Sequence, residues 1–276
     1  MVRQIAAART LSALGLAALA LAATCMAGRA QSSAAIDSNE ARIEDLITAS
    51  HILANEGILD SFGHATVRSA TDPGHIFMPR AMPPALVARA DIVELDLDCK
   101  PVTAGAPRLN GERYIHCEIY KARQEVQSVI HTHDPAVIPF GLTGTPLRPV
   151  LAQAGFLPKE TPLFEVRDVP RAGTERGMLV LDPALGKALA AKLGSNPVVL
   201  MRGHGETVVG RSVKEAAVRT LYTNIDARAQ AAAMTMASRF VVLDDAELAA
   251  FEKEESPDRP WENYKQRMLK AQGSSR

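Results

Sequence analysis

The feature that most constrains this chain is a short apolar run that ends in two histidines. Val129 and Ile130 lead into His131-Thr132-His133. Successive side chains of a β-strand point to opposite faces of the sheet, so His131 and His133 point the same way. Neutral imidazoles on a rigid strand suit Zn²⁺ and other first-row metal ions. The spacing predicts half of a metal site, against the alternative of two unrelated histidines at a strand end.

A third histidine follows a second apolar run. Val198–Met201 is fully apolar, as is typical of a buried strand, and His204 follows it between Gly203 and Gly205. The glycines let the backbone turn tightly, so that His204 projects from the strand end. Three histidines from two strand ends leave an open coordination position, which is typical of catalytic zinc sites. The competing ligands are His51, His64, His75 and His116.

Composition excludes some classes of partner. The 276 residues carry 31 basic and 31 acidic side chains, and only 4% are aromatic. A chain without net charge and poor in aromatic rings has neither the basic stripe nor the stacking platform that nucleic acids require. We therefore expect no nucleic-acid partner, and a small molecule instead.

The first thirty residues have the pattern of a secretory signal. Arg3 and Arg9 precede an apolar run over 11–23, and Gly28 and Ala30 place small residues at the −3 and −1 positions of a cut after Ala30. An uncleaved anchor and a lipoprotein signal ending at Cys25 are the alternatives. Residues 1–30 are predicted to be removed, which leaves a periplasmic or secreted protein with no membrane contact.

Cleavage would leave two cysteines, Cys99 and Cys117. An oxidising compartment would let them pair. Because Cys117 lies in a predicted helix and Cys99 in a turn, the sequence favours two free, buried thiols.

Apolar periodicity predicts interleaved helices and strands, hence an α/β or α+β class with one main sheet. Residues 31–240 form the predicted domain, and residues 241–276 a charged C-terminal helical extension. The predicted helices cover 38–55, 112–123, 183–193 and 212–239. The predicted strands cover 65–68, 76–78, 92–96, 127–133 and 198–201, and residues 163–166 and 178–181 are extended or mixed.

Four motifs over residues 41–233 resemble the class II aldolase/adducin family, which includes fuculose-phosphate and rhamnulose-phosphate aldolases and ribulose-phosphate 4-epimerase. The motifs are the helical series Glu112, His116, Tyr120, the pair His131 and His133, and Gly203-His204-Gly205. The resemblance implies an α/β fold, a three-layer α/β/α sandwich around a mainly antiparallel central sheet. It also implies a homo-oligomer, in most members a tetramer.

The resemblance implies a ligand set and an acid/base. His131, His133 and His204 would hold a divalent ion, Zn²⁺ first, with Mn²⁺, Co²⁺ or Fe²⁺ as alternatives. Glu112 would be the catalytic acid/base, against the alternative of a carboxylate that balances a helix dipole. We expect His116 to be a core histidine. Tyr120 is expected to pack, and Asp134 to support a ligand or cap a helix.

The departures from the sugar-phosphate members point to another substrate. The serine- and glycine-rich loops that hold phosphate are absent, and the first turn is Gly63-His64. His64, Arg68 and Arg80 are the candidate substrate-binding residues, since arginine binds a carboxylate bidentately. This pattern resembles the branch with dihydroxyphthalate-type decarboxylases. The alternative is that Arg68 and Arg80 are surface charges.

The expected function is a metal-dependent lyase that cleaves a C–C bond in a small hydroxylated carbonyl compound or carboxylic acid. Retro-aldol cleavage and decarboxylation both pass through a metal-stabilised enediolate or carbanion. A sugar epimerase by the same route and a non-catalytic, adducin-like binding module are the alternatives.

Overall fold

In the computed structural model, seven strands of the described residues form one sheet. They are β1 (His64–Arg68), β2 (His75–Pro79), β3 (Ile92–Asp96), β4 (Ser128–Thr132), β5 (Leu163–Phe164), β6 (Val198–Met201) and β7 (Gly205–Gly210). Their order across the sheet is β3-β2-β1-β4-β7-β6-β5. Neighbouring strands are antiparallel except for β5 and β6, which are parallel. The predicted mainly antiparallel sheet is confirmed.

The structure describes residues 37–170, 177–254 and 256–274. Their helices and strands lie in one compact unit, Ser38–Arg276. The predicted signal over residues 1–30 lies outside the described residues. Within the described residues, no helix combines the length and apolar character needed to cross a membrane.

Helices cover both faces of the sheet. They are α1 (Asn39–Asn55), α2 (Tyr114–Ala122), α3 (Ile138–Thr143), α4 (Pro183–Leu193), α5 (Val213–Met236), α6 (Asp245–Glu254) and α7 (Asp258–Ser274). Helices α2 and α4 share one apolar core with Val129 and Val209 of the sheet. Helices α1, α5 and α7 share another with Val67 and Ile130, to which α7 contributes Trp261. The predicted three-layer α/β/α sandwich is confirmed.

Side-chain caps begin three of the four predicted helices. Ser38, Asp182 and Ser212 accept hydrogen bonds from backbone N–H groups in the first turns of α1, α4 and α5, which satisfies donors that have no partner within a helix. Helix α2 begins at Tyr114, two residues later than predicted. A 3₁₀ turn precedes it, in which Glu112 has φ −87° and ψ 17°, and this turn sets the direction of the Glu112 side chain.

The two cysteines form a disulfide, so the prediction of free thiols is wrong. The Cα atoms of Cys99 and Cys117 lie 5.9 Å apart, within the usual span of a disulfide. Cys99 ends the turn after β3 in a left-handed conformation, with φ 62°, and Cys117 faces it from α2. The turn and the helix pack side by side, a juxtaposition that local patterns do not reveal.

Candidate active site

Strand β4 and the residue after it supply the first two histidines. His131 Nε2 lies 3.2 Å from His133 Nε2. His131 Nδ1 lies 2.9 Å from the backbone oxygen of Glu206, and His133 Nδ1 lies 3.1 Å from both carboxylate oxygens of Asp60. Because these partners only accept hydrogen bonds, each Nδ1 carries the proton and each Nε2 presents a lone pair. The two Nε2 lone pairs therefore face one another, and a cation bound between them would relieve their electrostatic repulsion.

The turn between β6 and β7 supplies the third histidine. Gly203 has φ 62° and Gly205 has φ 142°. A Cβ on Gly205 would lie 1.9 Å from the backbone oxygen of Thr132, so only glycine allows this close approach to β4. The turn places the His204 ring 4.9 Å from the rings of both His131 and His133, centroid to centroid. The three histidines thus converge as the strand-end pattern predicted.

Glu112 completes the cluster. Its Oε1 accepts a hydrogen bond of 2.9 Å from the backbone N–H of Val180. Its Oε2 faces the histidines, 3.4 Å from His204 Nε2 and 3.9 Å from His131 Nε2. Burial raises the pKa of Glu112, but the imidazoles of His204 and His131 and the Val180 N–H outweigh burial and lower the pKa to about 2. The carboxylate is therefore negative beside three imidazoles.

The residues present fit a divalent metal ion. The ligand atoms of Glu112, His131, His133 and His204 all lie within 4.8 Å of one another. His204 is buried, and among the described residues neither of its ring nitrogens has a hydrogen-bond partner. Buried polar atoms without partners are rare in folded proteins. Three imidazole nitrogens and a carboxylate oxygen are a donor set that suits Zn²⁺ and other first-row ions.

His64 lies at this end of the sheet, opposite His131 in the register of β1 and β4. Its Nδ1 is 2.6 Å from His116 Nε2, and His116 Nδ1 is 2.8 Å from Thr66 Oγ1, which in turn contacts the Tyr120 hydroxyl. His116 and Tyr120 are buried, as expected for core residues. The chain of hydrogen bonds between them and the site was not predicted. Among the described residues, His64 Nε2 has no hydrogen-bond partner.

Arg68 does not reach the histidine cluster. The residue is 4% exposed, and its guanidinium donates to the backbone oxygens of Pro73, Tyr120, Arg123 and Val126. A guanidinium with this many acceptors has no free face for a substrate carboxylate. The structure contradicts both the substrate-binding role predicted for Arg68 and the alternative of a surface charge.

Other charged residues near the site are paired with protein groups. Arg80 Nε lies 2.7 Å from Asp91 Oδ1, and Arg80 does not line the pocket that Glu112, His133 and His204 line. Arg202 pairs with Glu165. Asp134 accepts hydrogen bonds from the backbone N–H of Ala136 and from the Asn224 side chain, so it caps the turn after β4.

A pocket of about 840 Å³ opens over the cluster, and Glu112, His133 and His204 line it. Arg108 is exposed and lines the same pocket, and neither it nor Asp60 was predicted from the sequence. Arg108 lies four residues before Glu112, and this proximity was the only available signal. Much of the remaining wall is apolar, formed by Phe62, Met82, Leu109, Ile138, Leu179 and Leu181.

Comparisons with known proteins agree with this geometry. Residues 44–231 match the family model of the class II aldolase and adducin N-terminal domain. The chain is 36% identical over 206 residues to decarboxylase tropJ of Talaromyces stipitatus, covering 71% of this chain and 77% of the relative. It is 31% identical over 191 residues to 3,4-dihydroxyphthalate decarboxylase of Terrabacter sp., covering 65% and 76%.

Solved structures share the fold. L-fuculose 1-phosphate aldolase from Glaciozyma antarctica PI12 superposes with a TM-score of 0.67 at 22% identity, covering 83% of this chain and 88% of its own. An aldolase II superfamily protein from Pseudomonas syringae gives a TM-score of 0.68 at 21% identity, covering 82% and 91%. The chain therefore belongs to the class II aldolase and adducin family, and it is an enzyme of the class II aldolase-like type.

Proposed function

We propose that this enzyme is a metal-dependent decarboxylase of small hydroxylated carboxylic acids. The observation that carries the proposal is the convergence of Glu112 and three histidines beneath a pocket with apolar walls and one exposed arginine. The relatives named as decarboxylases support this reaction. Export to the periplasm or outside the cell and a homotetrameric assembly stay predictions from the sequence.

His131, His133 and His204 would hold the ion, and the donor set favours Zn²⁺ over Mn²⁺, Co²⁺ or Fe²⁺. When bound, a divalent ion supplies a Lewis acid that polarises substrate oxygen atoms and stabilises the negative charge that develops on them. The backbone oxygen of Glu206 and the Asp60 carboxylate hold the first two rings in orientation.

Glu112 Oε2 is the atom that would move a proton. The hydrogen bond from Val180 to Oε1 anchors the carboxylate and leaves Oε2 facing the histidines. Loss of CO₂ leaves an electron pair on the substrate carbon, which must take up one proton. Glu112 accepts the proton of the substrate hydroxyl at Oε2 and delivers it to that carbon.

The pocket favours an acid that carries an apolar ring over a sugar phosphate. Phe62, Leu109 and Leu179 offer contact to a flat apolar ring, and Arg108 offers a fork of donors to a carboxylate. Arg108 thereby takes the substrate-binding role that the sequence assigned to Arg68 and Arg80. His64 keeps that role in the proposal, through its buried Nε2.

The test is the metal content of the purified protein, wild type beside His131→Ala. We expect about one divalent ion per chain in the wild type and its loss in the variant. His75→Ala is the matched control, because His75 on β2 pairs with Glu94 on β3, away from the pocket. The loaded wild type is then assayed for CO₂ release from hydroxylated aromatic acids.

Wild-type protein that holds no metal and takes up neither Zn²⁺ nor Mn²⁺ would overturn the proposal. Metal-loaded enzyme that yields an aldehyde instead of CO₂ would identify an aldolase, and decarboxylation would be rejected.

A further inference from the structure

His131 and His133 differ in the group that accepts a hydrogen bond from Nδ1, the ring nitrogen that faces away from the cluster. His131 lies in strand β4, where a backbone oxygen of the neighbouring strand meets its Nδ1. His133 lies one residue beyond the strand, where no sheet pairing continues. The partner of its Nδ1 is a carboxylate, Asp60, 73 residues earlier in the chain. The less constrained ring therefore has the more strongly accepting partner.

Asp60 is itself held in place. Its Oδ1 accepts hydrogen bonds of 2.8 Å and 2.9 Å from the backbone N–H groups of Phe62 and Gly63. A Cβ on Gly63 would lie 2.5 Å from a methyl carbon of Leu59 and 3.1 Å from the backbone oxygen of His131. The close approach at Gly63 fixes the loop before β1 against β4. Asp60 thus contacts His133 from a loop that is held in place twice, by the hydrogen bonds to Asp60 Oδ1 and by the close approach at Gly63.

We propose that Asp60 is a positioning residue that prepares His133 to bind the metal. By accepting the Nδ1 proton with both oxygens 3.1 Å away, the Asp60 carboxylate turns Nε2 of His133 towards His131 Nε2. A carboxylate behind a metal-binding histidine fixes the ring orientation and makes the ligand more basic. The inference rests on the proposed function, because it concerns the same metal site.

The side chain of Asp60 is 46% exposed, so as an ion pair it contributes little to folding stability. Its effect on metal affinity is separate from stability, because the pair sets which nitrogen of His133 presents a lone pair. Replacing the carboxylate by an amide keeps an oxygen for the N–H groups of Phe62 and Gly63 but frees the His133 ring to rotate or change tautomer. Metal affinity is therefore the quantity that distinguishes a positioning residue from a surface contact.

The experiment measures the affinity of the purified full-length chain for Co²⁺, by competition with a chelator and by the visible absorption of the bound ion. We expect Asp60→Asn to weaken binding about 10-fold and Asp60→Ala by up to about 100-fold, with altered absorption bands. Thermal unfolding of the metal-free variants is expected to match the wild type. The matched control is Asp244→Asn, since Asp244 Oδ1 also accepts two backbone N–H groups but contacts no histidine of the cluster.

Each outcome bears on one proposal. Wild type that binds no Co²⁺ overturns the metal-dependent function itself. Wild type that binds Co²⁺ while both Asp60 variants bind it equally well, with the same spectrum, overturns only the role of Asp60. If Asp60→Ala unfolds, Asp60→Asn decides alone, because its side-chain oxygen can still accept from the backbone of the loop.

Discussion

The two ends of strand β1 carry buried polar side chains that serve opposite purposes. At one end the His64 ring lies beside the histidine cluster, 5.2 Å from the His131 ring, and nitrogens of His64 and His204 have no hydrogen-bond partner among the described residues. At the other end Arg68 donates to four backbone oxygens and stacks on the Tyr120 ring, 4.7 Å from its centroid. Both ends are buried, so burial alone does not mark the active site.

The difference lies in whether polar atoms are satisfied. A buried group with all its hydrogen bonds made contributes to folding, whereas one held ready without partners is available to a ligand at some cost to stability. The two ends therefore predict separable mutational effects, with catalysis and metal binding affected at the His64 end and stability at the Arg68 end.

The largest effect is expected from Glu112→Gln in the cluster. The amide keeps an oxygen for the Val180 N–H but does not accept a proton at neutral pH, so we expect kcat to fall by about 10²–10⁴-fold. Stability should hardly change. The control is Glu118→Gln on α2, the helix that follows Glu112, because the Glu118 carboxylate contacts Lys121. Steady-state kinetics and thermal unfolding check both statements, and full turnover by Glu112→Gln would remove Glu112 from the mechanism.

The far end is tested by Arg68→Met. Four backbone oxygens lose their donor, so we expect the free energy of unfolding to fall by roughly 3–5 kcal/mol in denaturant titrations. Co²⁺ affinity of the folded fraction should stay at the wild-type value. Arg80→Met is the control, with a half-exposed pair to Asp91 that is worth up to about 1 kcal/mol. A loss of metal affinity in Arg68→Met at full stability would contradict the separation of the two ends.

The disulfide tests whether the ends communicate through α2. Cys117 lies on this helix between His116 and Tyr120, and the bridge to Cys99 spans 18 residues. Replacing both cysteines by serine is expected to cost about 3 kcal/mol of stability, because the unfolded chain gains freedom. Reductant should shift the unfolding midpoint of the wild type but not of the double variant. If the double variant binds Co²⁺ with wild-type affinity, the two ends of β1 are independent of one another. If it binds Co²⁺ more weakly, the two ends are coupled through α2.

The smallest effect is expected at Asp226 on α5, which also has a buried polar atom without a partner but lies away from the cluster. Its Oδ1 caps the N–H groups of Val150 and Leu151, while Oδ2 is buried without a partner among the described residues. Burial raises its pKa from 3.8 to about 6, although the two N–H groups act against it. The folded chain therefore binds more protons than the unfolded chain between these values, so this group lowers stability as pH rises through them.

We expect the wild type to lose at most about 3 kcal/mol between pH 4 and pH 7 relative to Asp226→Asn, with unchanged kcat in the variant. The difference between the two unfolding curves isolates this carboxyl from the other titratable groups of the chain, which both proteins share. Lower kcat in Asp226→Asn would show that an unpartnered buried atom marks function even away from the cluster.

Local patterns predicted most of the fold, because the helices and strands show their burial in the apolar spacing of the sequence. Strand β7 was missed because it contains a buried carboxyl, Glu206, and is bounded by glycines at Gly205 and Gly210. Burial, and after it the nearby Asp134, raises the pKa of Glu206 well above its usual value. A charged residue between glycines has the pattern of a loop.

The candidate site shows the same limit. Histidines at strand ends carry their geometry in short motifs, and the structure brings together the cluster that those motifs suggested. Arg68 and Asp60 act through partners that lie far along the chain, such as Val126 and His133, and neither partner is visible in local sequence. Charge alone does not separate an arginine that binds backbone oxygens from one, such as Arg108, that faces a pocket.

The register of β4 and β7 has a consequence for how the enzyme is made. His131 pairs with Thr207 and Thr132 with Glu206, so ligands 73 residues apart meet only after this long-range pairing forms. A nascent chain in which residue 204 has not yet been synthesised lacks the third histidine, so its metal site is incomplete. The proposed metal ion would therefore meet its full ligand set only in the folded chain, and we expect metal starvation to reduce the active fraction of the enzyme without reducing the yield of folded protein.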